Sequence, residues 1–429
     1  MDSSALKVLL VGSGAREHAI AWKLAQSPRL GELVTVPGNA GTAQLGANLP
    51  VAATDVQGMV DLAREQSVDF VVVGPEAPLA AGLVDALAEA GVRAFGPTQA
   101  AARIEHSKAF AKDLMLANGV PTGRASRHSD YADALRRLDE VGAPIVVKGD
   151  GLAEGKAVLV AQTRAEAEDA LRDYMVEGKF GDSGRVVLLE EYLEGTEISV
   201  FAFVDGRNIS SLVAACDYKL SGDGDTGLNT GGMGSYSPPV AELWNSAMDD
   251  RVRREIIEPT VSALAANGSP YVGALYAGLM VTRDGPKVIE FNSRLGDPET
   301  QVILPRLKSD LLEVMWAAAS GDIGAAPLEW DDRACVGVAI ASGGYPAAYK
   351  TGYPIHGLDS VDAGALIFHA GTKESADGAV VTNGGRVLTV GALGSTVADA
   401  RAETYENAVR ISFSGSFYRT DIADVGGPS

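Results

Sequence analysis

Short apolar runs alternate with helical periodicity through roughly the first hundred positions. Residues 6–11 form the first run, which Gly12-Ser13-Gly14 interrupts. Residues 17–26 then place Ile20, Ala21 and Leu24 on one helical face. Residues 33–36 and 70–73 read as two further strands, ended by Pro37-Gly38-Asn39 and by Gly74-Pro75. Residues 57–66 and 79–90 read as helices. Strands alternating with helices predict an α/β, doubly wound parallel sheet with helices on both faces.

A boundary is expected near Gly96-Pro97-Thr98, followed by one helix over 99–118. A smaller α/β unit comes next, with strands at 145–148, 157–161 and 186–190 and a helix at 164–175. The stretch 221–239 is rich in Gly, Asp, Asn, Ser and Pro and reads as one long functional loop. Residues 275–282 and 286–291 read as paired strands joined by Arg283-Asp284-Gly285, and 310–319 as a helix. Past Cys335 the pattern is strand-rich, at 336–341, 365–370 and 386–392, with a helix opening near Thr396.

Composition narrows the function. The chain has 429 residues and a net charge of -20, which excludes binding driven by nucleic-acid phosphates. The two cysteines, Cys216 and Cys335, have neither metal spacing nor a disulfide framework. No run approaches the ~20 apolar residues of a membrane span, and the first residues lack a signal-peptide pattern. A cytoplasmic monomer acting on small molecules is expected, with no nucleic acid and no membrane partner.

Candidate chemistry sits where strands end. Gly12, Gly14, Arg16 and Glu17 occupy a strand-to-helix turn whose amides suit a phosphate. Glu17 stands where a dinucleotide fingerprint has its third glycine. Gly38, Asn39 and Glu76 end neighbouring strands on the same edge, where open sheets bind ligands. Lys148 leaves a strand into a glycine-rich loop able to close over phosphates. Glu190 and Glu191 lie at a strand exit suited to an adenine edge and ribose hydroxyls. Glu290 and Asn292 are two apart on a strand and share a face, a donor pair suited to Mg²⁺ bridging nucleotide phosphates. Arg294 continues that face and can hold a carboxylate or phosphate.

Taken together, the segments GSGAREHA, PGNAGTA, GPEAPL, VVKGDGLAEGK, GDGDTGLNTGGMGSYSP, EFNSRLGDPETQ and TNGGRVL resemble the phosphoribosylamine–glycine ligase family of the ATP-grasp superfamily. The resemblance implies an N-terminal substrate domain over 1–105, an ATP-grasp domain over 106–328 with a lid at 121–194, and a C-terminal domain over 329–429. It implies ATP contacts from Lys108, Lys148, Gly151, Gly155 and Lys156, and from the hinge Glu190, Glu191, Tyr192, Leu193 and Glu194, with Glu194 or Glu197 near the ribose. Glu290 and Asn292 would carry Mg²⁺ or Mn²⁺. Asn229, Thr230, Gly231, Asp297 and Glu299 join the substrate set through their motifs.

The sequence departs from the family pattern at Gly149, Glu154, Ala157, Ser293 and Leu295, and at Cys216, Tyr218 and Leu220 around Asp217 and Lys219. The implied reaction joins glycine to 5-phospho-β-D-ribosylamine at the expense of ATP, through glycyl phosphate. Arg294 is expected to take the glycine carboxylate and Asp217 its ammonium, and the N-terminal turns to take the ribosylamine. Three other readings compete: a carboxylating or formate-using ATP-grasp relative, a nicotinamide oxidoreductase, and a nucleotide binder without chemistry. The NTGGMG and GDPET segments, the missing third glycine, and the joint presence of Lys148, Glu290, Asn292 and Arg294 argue against each in turn.

Overall fold

The structure is a computed structural model that describes residues 5–152, 157–326 and 328–425. Strands β1 (Leu6–Gly12), β2 (Leu30–Pro37), β3 (Ala47–Asn48), β4 (Phe70–Val73) and β5 (Arg93–Phe95) form a parallel sheet in the order β3-β2-β1-β4-β5. Strand β1 is central and buried on both faces, so its apolar residues are continuous rather than alternating. Val8 and Leu10 face one core, shared with Leu311, Leu312 and Met315 of a helix from far along the chain. Leu9 and Val11 face the other, with Val34, Val36, Val71 and Val73. The strand order reverses between β1 and β4, so the turns after β1, β2 and β4 open on one crevice.

Two helices expected as continuous are each broken. The one expected over 79–90 is Glu76–Ala80 and Leu83–Glu89, because Gly82 takes a left-handed φ of +84°. The one expected over 99–118 is Gln99–His106 and Lys108–Ala117. Ser107 between them is extended, and its hydroxyl accepts the Phe110 amide at 3.1 Å, ending one helix and capping the next.

The region expected as a lid is an antiparallel sheet, β6 (Ala125–His128), β7 (Ile145–Gly149), β8 (Val158–Ala161) and β9 (Val187–Glu191), in the order β6-β9-β7-β8. Its helix Arg164–Met175 starts at a Thr163–Glu166 capping box and buries Ala167, Ala170 and Leu171 on the sheet.

The third sheet is built from β10 (Thr196–Asp205), β11 (Val213–Asp217), β14 (Gly234–Ser237), β15 (Val272–Thr282), β16 (Gly285–Asn292), β17 (Ala334–Ala341), β18 (Leu366–His369) and β21 (Arg386–Gly394). Its order is β16-β15-β10-β11-β14-β17-β21-β18, so one sheet runs from the expected central domain into the expected C-terminal one through the β14–β17 pairing. The stretch expected as one long loop contains a hairpin, β12 (Leu220–Gly222) with β13 (Thr226–Asn229), and all of β14. Strands β19 (Thr372–Glu374) and β20 (Val380–Thr382) form a separate pair.

Candidate active site

The four-stranded sheet meets the large sheet along β16. Lys148, next to last on β7, has its ammonium 3.0 Å from the Glu190 carboxylate and 2.9 Å from the Ile289 carbonyl. That carbonyl is available because the β15–β16 register shifts between Gly278 and Leu279, leaving Ile289 as an extra residue on β16. A bulge of this kind re-aims the side chains that follow it. Val288 and Phe291 both enter the same core, while Glu290 and Asn292 turn to the cleft. Lys112, which the sequence reading passed over, is also buried, 3.3 Å from Glu190 and 2.8 Å from the Thr122 hydroxyl. Glu190 therefore holds two lysines with its carboxylate. Lys108 donates to the Gly151 carbonyl at 3.0 Å. Burial lowers the Lys108 pKa and Lys148 adds to that, while Glu290, Asp150 and Glu105 oppose it.

Arg294 leaves β16 toward the N-terminal sheet. Its Nε donates to Glu76 at 3.0 Å, and its Nη2 lies 3.2 Å from Glu105 and 3.4 Å from Asn292 Oδ1. Burial works against this guanidinium, but Glu105 and Glu76 outweigh it and hold Arg294 protonated far above the usual range. Burial likewise pushes the Glu76 carboxyl up, but Arg294 and then Arg16 pull it down to about 2. Glu105 also accepts the Ser293 amide and hydroxyl, at 2.8 and 2.6 Å. Glu105 is a second residue that sequence reading missed, since it looks like one charge on a surface helix.

A carboxylate-rich group lies across β10, β11 and β15. Lys219 pairs with Glu197 and lies 3.9 Å from Asp217. Ser199 bridges the Tyr276 hydroxyl at 2.8 Å and Glu299 at 2.9 Å. Asp217 Oδ1 is buried without a hydrogen-bond partner among the described residues. Burial pushes the Asp217 carboxyl up to about 8 against the pull of Lys219, with Glu299, Glu197 and Glu290 adding to the rise. Burial works against the Lys219 ammonium, but Asp217, Glu197 and Glu290 outweigh it and hold Lys219 protonated well above its usual range. An orphaned carboxylate oxygen in such a place suits a cationic amine.

The N-terminal turns are internally saturated. Glu17 folds under its own turn and accepts the Gly14 amide at 2.6 Å. A Cβ on Gly12 (φ +128°) would lie 2.4 Å from Glu17 Cγ, so the turn requires glycine there. Arg16 donates to Glu17 and to the Leu295 carbonyl, and lies 4.0 Å from Glu76. Asn39 donates to Ser13 and His369 carbonyls and accepts the Gly41 and Thr42 amides, while Gly38 (φ +72°) sits against Asn48.

On the opposite wall Arg386 donates to the carbonyls of Gly231, Gly232 and Asp297 and pairs with the Asp297 carboxylate at 3.0 Å. Thr230 binds the Lys219 carbonyl, and Asn229 is exposed on β13. Arg386 lay inside a quoted segment, but nothing in its spacing marked it as a cross-link.

The hinge residues Glu191, Tyr192, Leu193 and Glu194 line a cleft of about 940 Å³ with Arg124, Arg137 and Lys287. Glu191 accepts the Arg124 amide at 3.1 Å. Of the two ribose candidates, Glu194 lines this cleft and Glu197 is engaged with Lys219. Gly151 takes φ +146° against Ser183. Gly155 and Lys156 lie outside the described residues.

The donor set fits a divalent cation shared with a nucleotide. Glu290 Oε1 and the Asn292 amide are 3.5 Å apart and face the cleft beside Lys148 and Lys108. Among the described residues no group of three His, Cys, Asp or Glu forms a closed cage. Two hard donors leave room for phosphate oxygens and water, as Mg²⁺-type ions require.

Comparison with known proteins is consistent along the whole chain. The family models for phosphoribosylglycinamide synthetase match as N domain over 6–105, ATP-grasp (A) domain over 106–300 and C domain over 335–425. The phosphoribosylamine–glycine ligase of Allochromatium vinosum is 51% identical over 421 residues, 97% of this chain and 98% of that protein. That of Vibrio parahaemolyticus is 49% identical and covers 97% of each. The crystal structure of the Thermotoga maritima phosphoribosylamine–glycine ligase superposes with a TM-score of 0.84 at 33% identity, over 97% of this chain and 100% of that one. A biotin carboxylase from Campylobacter jejuni shares the fold at TM-score 0.72 and 16% identity, over 96% of this chain and 93% of that one. With matched family models spanning most of its length and relatives at about half identity, the chain belongs to the phosphoribosylglycinamide synthetase family of ATP-grasp ligases.

Proposed function

We propose that this ligase joins glycine to 5-phospho-β-D-ribosylamine, converting ATP to ADP and phosphate, and that the residues gathered along β16 carry the chemistry. The observation that supports this most is the convergence, at one strand end, of phosphate-binding lysines, a cation-binding pair and the Arg294–Glu76 bridge to the N-terminal crevice.

A carboxylate is a poor electrophile, so glycine needs activation. Its carboxylate oxygen attacks the γ-phosphorus, the bond to the β-phosphate oxygen breaks, and ADP leaves. The ribosylamine nitrogen then attacks the carbonyl of glycyl phosphate, phosphate departs, and the nitrogen loses a proton. Such transfer rests on positioning and charge neutralisation. Lys148 and Lys108 hold the phosphates, and Glu190 fixes Lys148 at a set distance from β16. Arg294 takes the glycine carboxylate and Asp217 the ammonium. Glu191 to Glu194 hold the adenine end. The turn at Gly12–Arg16 and the Gly38-Asn39 corner shape the ribosylamine pocket, with Glu76, Asp297 and Glu299 bordering it. Mg²⁺ or Mn²⁺ held by Glu290 and Asn292 would supply neutralisation of the bridging phosphate oxygens when bound. The lid around Gly151 keeps water from the acyl phosphate.

The proposal keeps the division at 1–105, 106–328 with a lid at 121–194, and 329–429, as functional parts. It includes a cytoplasmic monomer. The buried, unpaired Cys216 and Cys335 suit a reducing compartment, and among the described residues no helix is long and apolar enough to cross a membrane.

The test is phosphate release from ATP with glycine, freshly generated phosphoribosylamine and Mg²⁺, omitting each in turn. Release that needs all of them and disappears in Glu290→Ala is the expected result. Release without the ribosylamine, or none with every component present, would overturn the assigned acceptor.

A further inference from the structure

The hairpin β12–β13 carries no side chain of the proposed chemistry, yet it is fastened with unusual thoroughness to a strap formed by residues 419–423. Arg419 is among the largest fully buried side chains of the described residues. It donates to the Leu220 carbonyl at 3.0 Å and to Asp225 at 2.8 Å, pairs with Asp421 at 2.7 Å, and lies 5.0 Å from the Tyr218 ring. Asp421 in turn accepts the Gly224 amide at 2.8 Å. Asp223 accepts the Thr420 amide at 2.8 Å and also its hydroxyl. The Tyr218 hydroxyl accepts the Ala423 amide at 3.0 Å.

The strap is itself anchored. The Tyr405 hydroxyl donates to the Arg419 carbonyl and accepts the Ile422 amide. Arg401 donates to the Thr420 and Ile422 carbonyls. Ile422 and Ala423 sit in the main core.

What this framework holds is the segment immediately before the hairpin. Tyr218 exchanges backbone bonds with Met233 and Gly234, and the Lys219 carbonyl receives the Thr230 amide and hydroxyl. Lys219 reaches Glu197 and stands beside Asp217. The arginine and two carboxylates at the tip therefore set the height and tilt of Asp217 and Lys219 above the cleft.

We propose that Arg419, Asp223 and Asp225 are positioning residues for the amino-acid end of the reaction: the strap fixes Asp217 and Lys219 where the substrate ammonium docks. This rests on the assignment of Asp217 to the glycine ammonium. Two of the positions at which this chain departs from the family pattern, Tyr218 and Leu220, are among the residues that touch Arg419, Tyr218 with its ring and Leu220 with its carbonyl.

The experiment uses the full-length enzyme. Asp223→Asn with Asp225→Asn loosens the tip from its exposed side and leaves Arg419 buried against Asp421. The expected result is a rise of about tenfold in the glycine KM, with ATP KM and thermal midpoint close to wild type, since small displacements of a docking group act on the substrate it orients. Asp217→Asn is measured alongside, and Arg419→Lys tests whether a bare charge suffices. If Asp217→Asn raises the glycine KM and the tip variant leaves it unchanged, the strap is structural and the inference falls. If Asp217→Asn also leaves it unchanged, the ammonium assignment itself is wrong. A tip variant that lowers the thermal midpoint and shifts every kinetic constant together would equally overturn a positioning role.

Discussion

The crevice of the N-terminal sheet and the cleft along β16 are both polar, but they are built on opposite principles. In the crevice nearly every donor has an internal partner: Glu17 closes the Gly14 turn, and Asn39 ties three segments together. Along β16 charges are brought together in excess, and on β11 Asp217 keeps a buried oxygen with no partner among the described residues. One region is a finished shape and the other holds unspent electrostatics. Buried polar networks that are fully satisfied rigidify, whereas unpaired groups await a ligand.

The contrast can be broken at its strongest point first. Glu290→Ala is expected to lower kcat/KM by several hundredfold, because a group that neutralises transition-state charge in a dry site is worth ~3–4 kcal/mol. Steady-state phosphate release measures it, and the divalent-ion requirement should shift in parallel. Arg294→Ala should cost about a hundredfold in kcat/KM for glycine. It should also destabilise the fold, since Glu76 and Glu105 lose their shared partner. Unchanged glycine dependence would count against its role. Asn39→Ala should act chiefly through stability, by about 2 kcal/mol, and raise the ribosylamine KM, with the ATP and glycine KM values little changed. Normal stability there would show that the crevice is not held as described.

In pH dependence the two groups, Glu76 and Asp217, should differ in sign. Glu76 is depressed to about 2 in the folded chain, from 4.5. Its contribution to stability is therefore full above pH ~4.5 and is lost as pH falls toward about 2. Asp217 is raised to about 8 from 3.8, so the folded chain binds the extra proton in between and Asp217 destabilises the fold increasingly as pH rises through that window. Asp217→Asn should accordingly raise the melting temperature more at pH 8 than at pH 5, while Glu76→Gln lowers it at neutral pH and matters little near pH 2. Melting curves across pH separate the two.

Sequence patterning carried much of this. A lysine ending a strand before a glycine loop, and two oxygen donors two residues apart, are local signals, so Lys148, Glu290 and Asn292 were readable. The turns after β1, β2 and β4 followed from strand order alone. Lys112 and Glu105 were not readable, because a charged residue on an amphipathic helix looks solvated until another element covers it. Arg386 and Arg419 were hidden because the carbonyls they bind, at Gly231 and Leu220, lie more than 150 positions away in the chain. The break at Ser107 was missed because a serine within continuous helical periodicity is a weak signal, and only its bond to Phe110 shows that it is a cap. The bulge at Ile289 is a register event between two strands, and no single strand encodes it.

The uninterrupted sheet from β16 to β18 has a mechanical meaning. Eight strands hydrogen-bonded in series make a stiff anvil, with Glu290 at one margin and Arg386 within it. The four-stranded sheet β6-β9-β7-β8 is a separate plate, joined by the chain at Thr122–Arg124 and at Glu191–Gly195. Among the described residues the two sheets share no strand, so the contacts of Lys148 with Ile289 and of Thr122 with Val288 are where the plate registers against the anvil.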